Sequence, residues 1–429
     1  MKHFISHFND AVKAHWDLPA VTNFGKETYT YGQVAEQIAK YHILFGEAGI
    51  GKNDKIALYA RNSAEWVIAY FATLTYEAVT VPFLPDFIPG AVAELGSFSE
   101  CKLLIADDIA INSLKEDENY IKQLESTKGF AGILNIKDMS VAVATDKKLA
   151  AVRETLDERF AKLYPNGLTA ADVNYYNEER DMEAVVEISF TSGTTSTVSK
   201  GVVLPARSLS ANLDFGLRTI PACVGGHIFA ILPMAHMFGQ AFDVLFSLSS
   251  GCHVFVMPGK PTPARLIGGL GAVKPFMFLT VPLVIEKIFK SKVFPVTRKY
   301  PAKLLLKIPG LRRIVLNKIK KSLLNAFGNS FTTGMIIGGA ALNREVEDLL
   351  KRMKFPYVVG YGMTECGPLI SYRDKSEYVK YSCGTMAHPI KIRIDSANPR
   401  RVLGEIQVKG DAVMLGYYKN EEATAAAFT

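Results

Sequence analysis

Short apolar runs alternate with segments of helical periodicity along most of this sequence. The run at residues 55–60, for example, is followed by helical spacing at residues 65–75. Similar apolar runs recur at residues 79–83, 102–106, 184–190, 229–232, 252–257, 276–279 and 335–337. Strands that alternate with helices form mostly parallel sheets covered by helices, and ligands bind beyond the carboxyl ends of those strands. We therefore expect an α/β fold whose chemistry lies in the loops that follow strands.

Changes in composition along the chain predict three parts. Residues 1–185 form an N-terminal α/β subdomain, and residues 186–380 form a second one. In residues 381–429, apolar and polar residues alternate at 390–394 and 405–409, which is typical of half-exposed strands. The predicted fold is two helix-covered, mostly parallel sheets followed by a β-rich, barrel-like subdomain.

The composition excludes several classes of protein. The chain has 429 residues, 48% hydrophobic and 21% charged, so it can bury a large core and is not a disordered protein. Its five cysteines are odd in number and lack metal-binding spacing, which favours a reducing compartment over a disulfide framework or a zinc site. Polar residues interrupt residues 1–20, which do not resemble a signal peptide. We expect a cytoplasmic protein.

Residues 227–257 are nearly uncharged and require a separate interpretation. Pro233, Gly239 and Asp243 interrupt this stretch, together with several serines. A helix exposed to lipid does not readily accept such residues. The stretch therefore predicts a buried strand, loop, helix and strand rather than a transmembrane helix.

The loop after residues 184–190, TSGTTSTVSKG, holds seven hydroxyl residues, two glycines and a lysine in eleven positions. Gly193 permits backbone conformations in which consecutive N–H groups converge on an anion, and Lys200 adds a mobile positive charge. Ser199 and Gly201 flank the lysine and do not fit the Walker A pattern, which has glycine before it and a hydroxyl residue after it. These residues alone are consistent with a polyanion-binding loop and with a solvated surface loop.

A basic segment at residues 287–321 carries twelve lysines and arginines and no acidic residue, which exceeds the net charge of +7 for the whole chain. Apolar residues interleave with these charges. Such a segment can lie on an anionic membrane surface, but a pair of surface helices with a solvated basic face is equally consistent. Since no nucleic-acid-binding signature accompanies the charge, we expect no nucleic-acid partner.

Three further glycine-containing segments extend the pattern. They are MIIGGAAL at residues 335–342, GYGMTE at residues 360–365, and the pair formed by residues 404–410 and 416–417. Together with TSGTTSTVSKG, and in this order, they resemble the adenylate-forming (AMP-binding) superfamily of acyl-CoA synthetases, luciferases and peptide-synthetase adenylation domains. The resemblance covers essentially the whole chain.

The resemblance implies a two-step reaction. A carboxylate attacks the α-phosphate of ATP to give an acyl-adenylate, which a thiol such as coenzyme A then captures. By resemblance, the residues that bind ATP or AMP are Thr191, Ser192, Gly193, Thr194, Thr195, Lys200, Gly338, Gly339, Ala340, Tyr361, Gly362 and Thr364. Residues 191–195 and Lys200 would hold the β- and γ-phosphates, and Thr364 the α-phosphate. Tyr361 would stack on adenine, with the backbone of residues 338–340 on its other side.

The resemblance also implies catalytic roles for His236, Thr364 and Glu365. Glu365 would ligate Mg²⁺, a hard cation that prefers oxygen ligands, and His236 would lie beside the acyl carboxylate. Amino-acid-activating relatives place an aspartate in this region, but Asp243 lies too close to Gly251 to match it. We therefore expect a plain carboxylic acid as substrate.

Residues 280–287 and the basic segment after them resemble the long-chain fatty acyl-CoA synthetases. This resemblance favours a fatty acid and is consistent with peripheral contact at the inner membrane surface through residues 287–321. The alternatives are a non-catalytic acyl- or nucleotide-binding protein and an amino-acid adenylation domain.

Two departures from the family pattern are present. The family has glycine at the position of Ser196 and one residue fewer before Lys200. The family pattern also continues past Thr424 and Phe428 to a ribose-binding aspartate, a hinge and a small domain with a catalytic lysine, whereas this chain stops at Thr429. We expect a large N-terminal domain without its small C-terminal lid domain, and slow catalysis by this chain alone, since losing a group that acts on developing charge costs a factor of about 100 to 1,000.

Overall fold

Two large sheets and two small ones, with helices around them, form the computed structural model, which describes residues 1–145, 147–191, 199–259, 261–387 and 389–429. The strands are β1 (Pro19–Asn23), β2 (Thr28–Thr30), β3 (Lys55–Tyr59), β4 (Val79–Pro82), β5 (Cys101–Ala106), β6 (Gly132–Asn135), β7 (Val141–Ala144), β8 (Val185–Thr191), β9 (Lys200–Pro205), β10 (His227–Ala230), β11 (His253–Val256), β12 (Met277–Thr280), β13 (Gly334–Ile337), β14 (Tyr357–Val359), β15 (Tyr361–Gly362), β16 (Leu369–Tyr372), β17 (Thr385–Met386), β18 (Lys391–Asp395), β19 (Glu405–Lys409) and β20 (Gly416–Tyr417).

The helices lie between these strands. They are α1 (Phe4–Ala14), α2 (Tyr31–Glu47), α3 (Ala64–Thr75), α4 (Pro89–Phe98), α5 (Asp108–Lys115), α6 (Glu118–Glu125), α7 (Lys147–Glu154), α8 (Leu156–Leu163), α9 (Ala206–Thr219), α10 (Met237–Gly239), α11 (Ser247–Ser249), α12 (Pro263–Val273), α13 (Pro282–Ile288), α14 (Phe294–Arg298), α15 (Ala302–Leu305), α16 (Pro309–Ala326), α17 (Arg344–Arg352) and α18 (Glu421–Ala427). Gln240–Phe246 and Phe289–Val293 are π-helical, and Thr364–Cys366 is a 3-10 turn. Within the described ranges, every helix is too short or too polar to traverse a lipid bilayer.

The two large sheets are mostly parallel, as the alternation of strands and helices predicted. The seven-stranded sheet has the order β14–β13–β12–β10–β11–β1–β2, and its one antiparallel pair joins β1 and β2. The eight-stranded sheet has the order β20–β9–β8–β4–β3–β5–β6–β7, with five central parallel strands and antiparallel strands at both ends. The predicted fold class is therefore confirmed.

The eight-stranded sheet is buried on both faces, which explains its continuous apolar runs. In β3, Ile56 and Leu58 belong to the main core, whereas Ala57 and Tyr59 belong to a second core on the opposite face. Successive side chains of a strand point to opposite faces, so burial of both faces requires an apolar residue at every position. Helices α4, α5 and α6 contribute apolar residues to the second core and cover that face.

The C-terminal strands form small antiparallel sheets, with one exception that matters for the site. The three-stranded sheet has the order β15–β16–β17, and β18 pairs with β19. Strand β20 instead joins the eight-stranded sheet, where Gly416 and Tyr417 pair with Val203 and Val202 of β9. This pairing brings the C-terminal residues to β9, which begins at Lys200.

The strands of each large sheet are not consecutive in the chain. Strands β1 and β2 lie in the same sheet as β10 to β14, although most strands of residues 1–185 belong to the other sheet. The division into residues 1–185, 186–380 and 381–429 stays a prediction. Strand β7, an antiparallel edge strand whose residues are only partly buried, was not predicted.

Candidate active site

Four neighbouring strand ends form one edge of the candidate site. Strands β14, β13, β12 and β10 are adjacent and parallel, so their carboxyl ends meet at the same edge of the sheet. Tyr361 follows β14, Gly338 follows β13, Val281 follows β12, and His236 lies shortly after β10. The structure therefore brings together the residues predicted to contact adenine and the acyl carboxylate.

The two glycines after β13 are restricted for different reasons, Gly338 by a close neighbour and Gly339 by its backbone conformation. A Cβ on Gly338 would be 3.1 Å from the ring of Phe238, which is tighter than ordinary van der Waals contact. Gly339 has a φ of +83°, in the left-handed region that favours glycine, and a Cβ there would be 3.6 Å from Val281. Gly339 and Ala340 are exposed, so their backbone is open to a ligand.

His236 has a defined tautomer in this structure. Its Nδ1 accepts a hydrogen bond of 3.3 Å from the backbone N–H of Phe238, at the start of α10. Desolvation lowers the pKa of the imidazole below its ordinary value, so the ring is neutral at pH 7. In a neutral ring whose Nδ1 accepts, Nε2 carries the proton. His236 can therefore donate a hydrogen bond from Nε2 to a bound carboxylate.

Tyr361 and Gly362 form strand β15, which pairs with β16. The ring of Tyr361 is 37% exposed, so one part of it is accessible for stacking. A Cβ on Gly362 would lie 2.2 Å from the carbonyl oxygen of Pro368, which no side chain tolerates. Close approach of two backbones, rather than a positive φ, is thus the reason for glycine at position 362.

Thr191 and Lys200 lie directly opposite each other at the end of the β8–β9 hairpin. The Thr191 hydroxyl donates to the Lys200 carbonyl oxygen at 3.5 Å. The Lys200 Nζ lies 4.9 Å from the ring centroid of Tyr417, close enough for a cation–π interaction. The other predicted phosphate-loop residues, Ser192, Gly193, Thr194 and Thr195, lie outside the described residues, as does the departure at Ser196.

Tyr417 also contacts Glu365 and so links this carboxylate to Lys200. The Tyr417 hydroxyl donates a hydrogen bond of 2.8 Å to Oε1 of Glu365. Desolvation, together with this carboxylate, raises the pKa of Tyr417, so the phenol keeps its proton and remains a donor. Oε2 of Glu365 makes no hydrogen bond within the described part of the chain and can serve as a ligand. One carboxylate beside phosphate oxygens is how Mg²⁺ is commonly held, and the residues present fit this cation.

Comparison with known proteins identifies the family. Residues 8–418 match the family described as AMP-binding enzyme. The chain belongs to this family. Its predicted membership of the AMP-binding superfamily is thereby confirmed.

Relatives of this chain include proteins named as ligases or synthetases for different acids. The chain is 27% identical over 447 residues to long chain acyl-CoA synthetase 3 of Arabidopsis thaliana, covering 93% of this chain and 62% of that protein. It is 26% identical over 432 residues to 4-coumarate--CoA ligase 2 of Oryza sativa subsp. japonica, covering 93% and 65%. The chain thus spans less than two thirds of the length of these two relatives.

A solved structure of the same extent is that of the N-terminal domain of FACL13 from Mycobacterium tuberculosis. It superposes with a TM-score of 0.71 at 17% identity, covering 100% of this chain and 94% of that one. The likeness confirms that this chain has the fold of such an N-terminal domain.

Helix α9 holds the Glu365 turn in place, a role that the sequence did not predict. The buried Asn212 donates from Nδ2 to the Cys366 carbonyl oxygen at 3.0 Å and accepts from the Leu369 backbone N–H at 2.8 Å. It therefore bridges the two sides of the turn at Gly367. One turn earlier, Ser208 donates to the Ala412 carbonyl at 2.5 Å. The only signal in the sequence is a pair of polar residues spaced i, i+4 on the helix after Lys200.

An apolar cavity of about 390 Å³ adjoins the strand ends. Its lining includes Leu232, Val281, Val284 and Ile288, of which Val281 also faces Gly339. Asn62 lines it as well, donating to the Leu232 carbonyl at 2.6 Å and accepting from the Met234 backbone N–H at 2.9 Å. These bonds hold the segment that leads to His236. The chain thus has an apolar compartment next to the residues predicted to bind the nucleotide and the carboxylate.

Proposed function

We propose that this chain is the ATP- and acyl-binding domain of an AMP-forming acid–CoA ligase. The observation that carries the proposal is the contact of Tyr417 with both Lys200 and Glu365. Tyr417 links Lys200, the lysine of the predicted phosphate loop, to the carboxylate of Glu365, which follows the predicted adenine-stacking segment. These residues come from distant parts of the chain. Membership of the AMP-binding enzyme family supports the same reaction class.

The proposed reaction has two steps, formation of an acyl-adenylate and then of a thioester. A carboxylate oxygen of the acid attacks the α-phosphorus of ATP, the bond from that phosphorus to the bridging oxygen of the β-phosphate breaks, and pyrophosphate leaves. The sulfur of coenzyme A, after losing its proton, then attacks the acyl carbon, so that a thioester forms and AMP leaves. Both steps place negative charge on phosphate oxygens, which the site must stabilise.

The proposed roles follow from that charge. Lys200, Thr191 and the loop of residues 192–195 would hold the β- and γ-phosphates, and Thr364 the α-phosphate. Removing one donor to a developing charge commonly costs a factor of about 100 to 1,000 in rate. Mg²⁺ at Glu365 would neutralise further phosphate charge. A neutral His236 would hold the carboxylate of the acid through a hydrogen bond from Nε2, without the ion pair that a positively charged ring would form.

The apolar cavity favours an acid with a sizeable apolar part, and we propose a fatty acid. The lining aliphatic side chains offer a hydrophobic surface, and each buried methylene of a ligand contributes about 0.8 kcal/mol. A long chain acyl-CoA synthetase and a 4-coumarate–CoA ligase are both among the relatives, and a cavity beside Val281 suits either class of acid. We further propose a cytoplasmic location, where ATP and coenzyme A are supplied, and completion of the site by a C-terminal domain.

Acid-dependent exchange of pyrophosphate into ATP tests the ligase reaction. The native gene product and this chain are assayed with fatty acids of several lengths, 4-coumarate, benzoate and amino acids. We expect exchange with one class of apolar acid in the native product and weak exchange in this chain. Absence of acid-dependent exchange in the native product overturns the proposal, and exchange with amino acids alone assigns an adenylation domain instead.

Nucleotide binding provides a second test, which does not require turnover. ATP affinity in the presence of Mg²⁺ is measured by calorimetry for the chain, for Lys200→Ala and for the control Lys391→Ala, which removes an exposed lysine of β18. Loss of a charge-assisted contact worth about 1.5 to 3 kcal/mol predicts at least about tenfold weaker binding for Lys200→Ala only. Equal affinities for the two variants contradict the assigned role of Lys200.

A further inference from the structure

The middle part of the basic segment of residues 287–321 is a projection that the rest of the fold leaves largely uncovered. Both ends of the segment are anchored, since Phe289, Val293, Leu316 and Ile319 are buried in the main core. Between these anchors, helix α15 has no buried residue, and every residue from 307 to 314 is exposed. The second part of α16 therefore packs on the body of the protein, while its first turn and the loop before it face solvent.

Large apolar side chains are exposed on this projection. Tyr300 is 77% exposed and Ile314 is 65% exposed. The other exposed apolar residues of the projection are Val296, Leu304, Ile308 and Leu311. Several apolar residues exposed within one short segment mark an interaction surface rather than the scattered apolar residues of an ordinary surface.

Basic side chains separate these apolar residues and are almost free of acidic partners. Of the twelve lysines and arginines in residues 287–321, only Arg298 forms an ion pair within the described part of the chain, with Glu345 at 2.8 Å. On the projection itself, Lys307, Arg312 and Arg313 alternate with Ile308, Leu311 and Ile314. The positive charge is therefore available to an external anion.

We propose that the projection of residues 296–314 docks on an anionic lipid bilayer. Its apolar side chains enter the boundary between headgroups and acyl chains, and its lysines and arginines contact the anionic headgroups. A nucleic acid would satisfy the charges but would leave the apolar side chains in water. A bilayer satisfies both, because its interface has an anionic layer directly above an apolar one.

The projection and the wall of the apolar cavity belong to neighbouring parts of the chain. Helix α13 carries Val284 and Ile288 in the cavity wall, and the basic segment continues directly from it. Leu283 and Lys287, on the same helix, also line the cavity, and Leu283 is largely exposed. If the acid is a fatty acid, as the proposed function holds, docking would bring the cavity close to the phase in which that substrate concentrates.

Vesicle co-sedimentation of this chain tests the docking surface. The probes are vesicles of pure phosphatidylcholine and vesicles that also contain about 30% phosphatidylserine, at low and high salt. We expect binding to the anionic vesicles, little binding to the neutral ones, and release at high salt. Equal binding to both compositions, or binding to neither, overturns the proposal. Binding to RNA in place of anionic vesicles also overturns it and assigns the surface to nucleic acid.

Matched variants locate the surface. The double variant Arg312→Glu/Arg313→Glu is compared with Arg400→Glu/Arg401→Glu, a pair of exposed arginines elsewhere. The variant Ile314→Glu is compared with Leu403→Glu, which changes an exposed leucine outside the projection. Each change on the projection should weaken binding to anionic vesicles at least about tenfold, while the controls bind as the unchanged chain does. Equal losses for projection and control variants contradict the assignment.

The outcome is independent of the ligase proposal. Vesicle binding is measured without ATP or acid, and Ile314→Glu should keep the ATP affinity of the unchanged chain, which also shows that the variant is folded. Docking without acid-dependent pyrophosphate exchange would leave the surface assigned and the reaction refuted. Pyrophosphate exchange without vesicle binding would support the ligase reaction and refute the docking surface.

Discussion

The ammonium group of Lys200 lies 4.9 Å from the ring centroid of Tyr417, whose hydroxyl in turn donates a 2.8 Å hydrogen bond to Glu365. The two residues are far apart in the chain and meet because β20 pairs with β9. Tyr417 also donates its backbone N–H to Thr424 at 2.9 Å, which ties the helix α18 to the same place. One aromatic side chain thus holds the cation and the carboxylate of the candidate site in fixed relation.

Tyr417→Phe should weaken magnesium-dependent ATP binding. The ring under Lys200 is kept, but Glu365 loses a hydrogen bond, and bonds to charged groups contribute about 1.5 to 3 kcal/mol. Because a ligated Mg²⁺ can replace part of that stabilisation, we expect a smaller effect of about three- to tenfold in affinity. Calorimetry with and without Mg²⁺ measures it.

Tyr418→Phe is the matched control for that variant. The neighbouring Tyr418 donates its hydroxyl to Glu100 at 3.0 Å, away from Glu365. Its loss should leave ATP affinity unchanged. Identical affinities for the two variants would mean that the Tyr417 hydroxyl does not position Glu365.

Gly362→Ala should destabilise the fold. The new Cβ would lie 2.2 Å from the Pro368 carbonyl oxygen, so β15 and the turn before β16 must separate. We expect the free energy of unfolding to fall by about 2 kcal/mol, measured by urea titration. The control Gly268→Ala lies inside α12 with nothing within 4 Å of its new Cβ, and it should stabilise by about 0.5 to 1 kcal/mol. Equal effects of the two changes would contradict the backbone contact described for Gly362.

Asn212→Ala should lower both stability and ATP affinity. It leaves a buried carbonyl at Cys366 and a buried N–H at Leu369 without their partner, and each such group costs about 1 to 3 kcal/mol. We expect a loss of about 3 kcal/mol in the free energy of unfolding, together with weaker nucleotide binding, since the turn carries Glu365. Asn317→Ala, at an exposed position of α16, should change neither quantity. A stability loss with unchanged ATP affinity would show that the turn is not part of the nucleotide site.

Glu187 should make stability depend on pH. It is fully buried in β8 and accepts a 2.7 Å hydrogen bond from Gln240. Desolvation raises its pKa from 4.5 to about 8, and the bond from Gln240 offsets only part of that shift. Between these two values the folded protein holds a proton that the unfolded chain has released, so stability falls as pH rises from about 5 to 8, by at most about 1.4 kcal/mol per pH unit.

Glu187→Gln isolates this contribution. The amide keeps the shape of the protonated acid but does not titrate, so the variant should lose stability less steeply over the same pH range. Asp243, whose pKa burial also raises, remains in both proteins and cancels in the comparison. Urea titrations at about pH 5.5 and 7.5 measure the difference. Parallel pH dependences would show that Glu187 is not protonated in the fold.

Much of the architecture was predictable from local pattern. The strands from β3 to β5 and from β10 to β13 coincide with apolar runs, because strands buried on both faces require apolar residues at every position. The loop positions of Gly338 and His236 followed from the same runs, since parallel strands end at one edge. Tyr361 was named only through the resemblance, and it lies in the short strand β15. Asn212 was not predictable, because its partners at Cys366 and Leu369 are separated from it by more than 150 residues.

The sequence by itself determined the alternation of strands and helices, the hydroxyl-rich loop that ends at Lys200, and the unbalanced charge of residues 287–321, all of which depend on neighbouring residues. Tertiary structure decided that β20 pairs with β9 and so places Tyr417 between Lys200 and Glu365. It also decided which apolar residues of the basic segment are covered, burying Leu316 and leaving Ile314 exposed. Helical periodicity defines the faces of a helix, but only the packing of distant elements determines which face meets the core and which meets solvent.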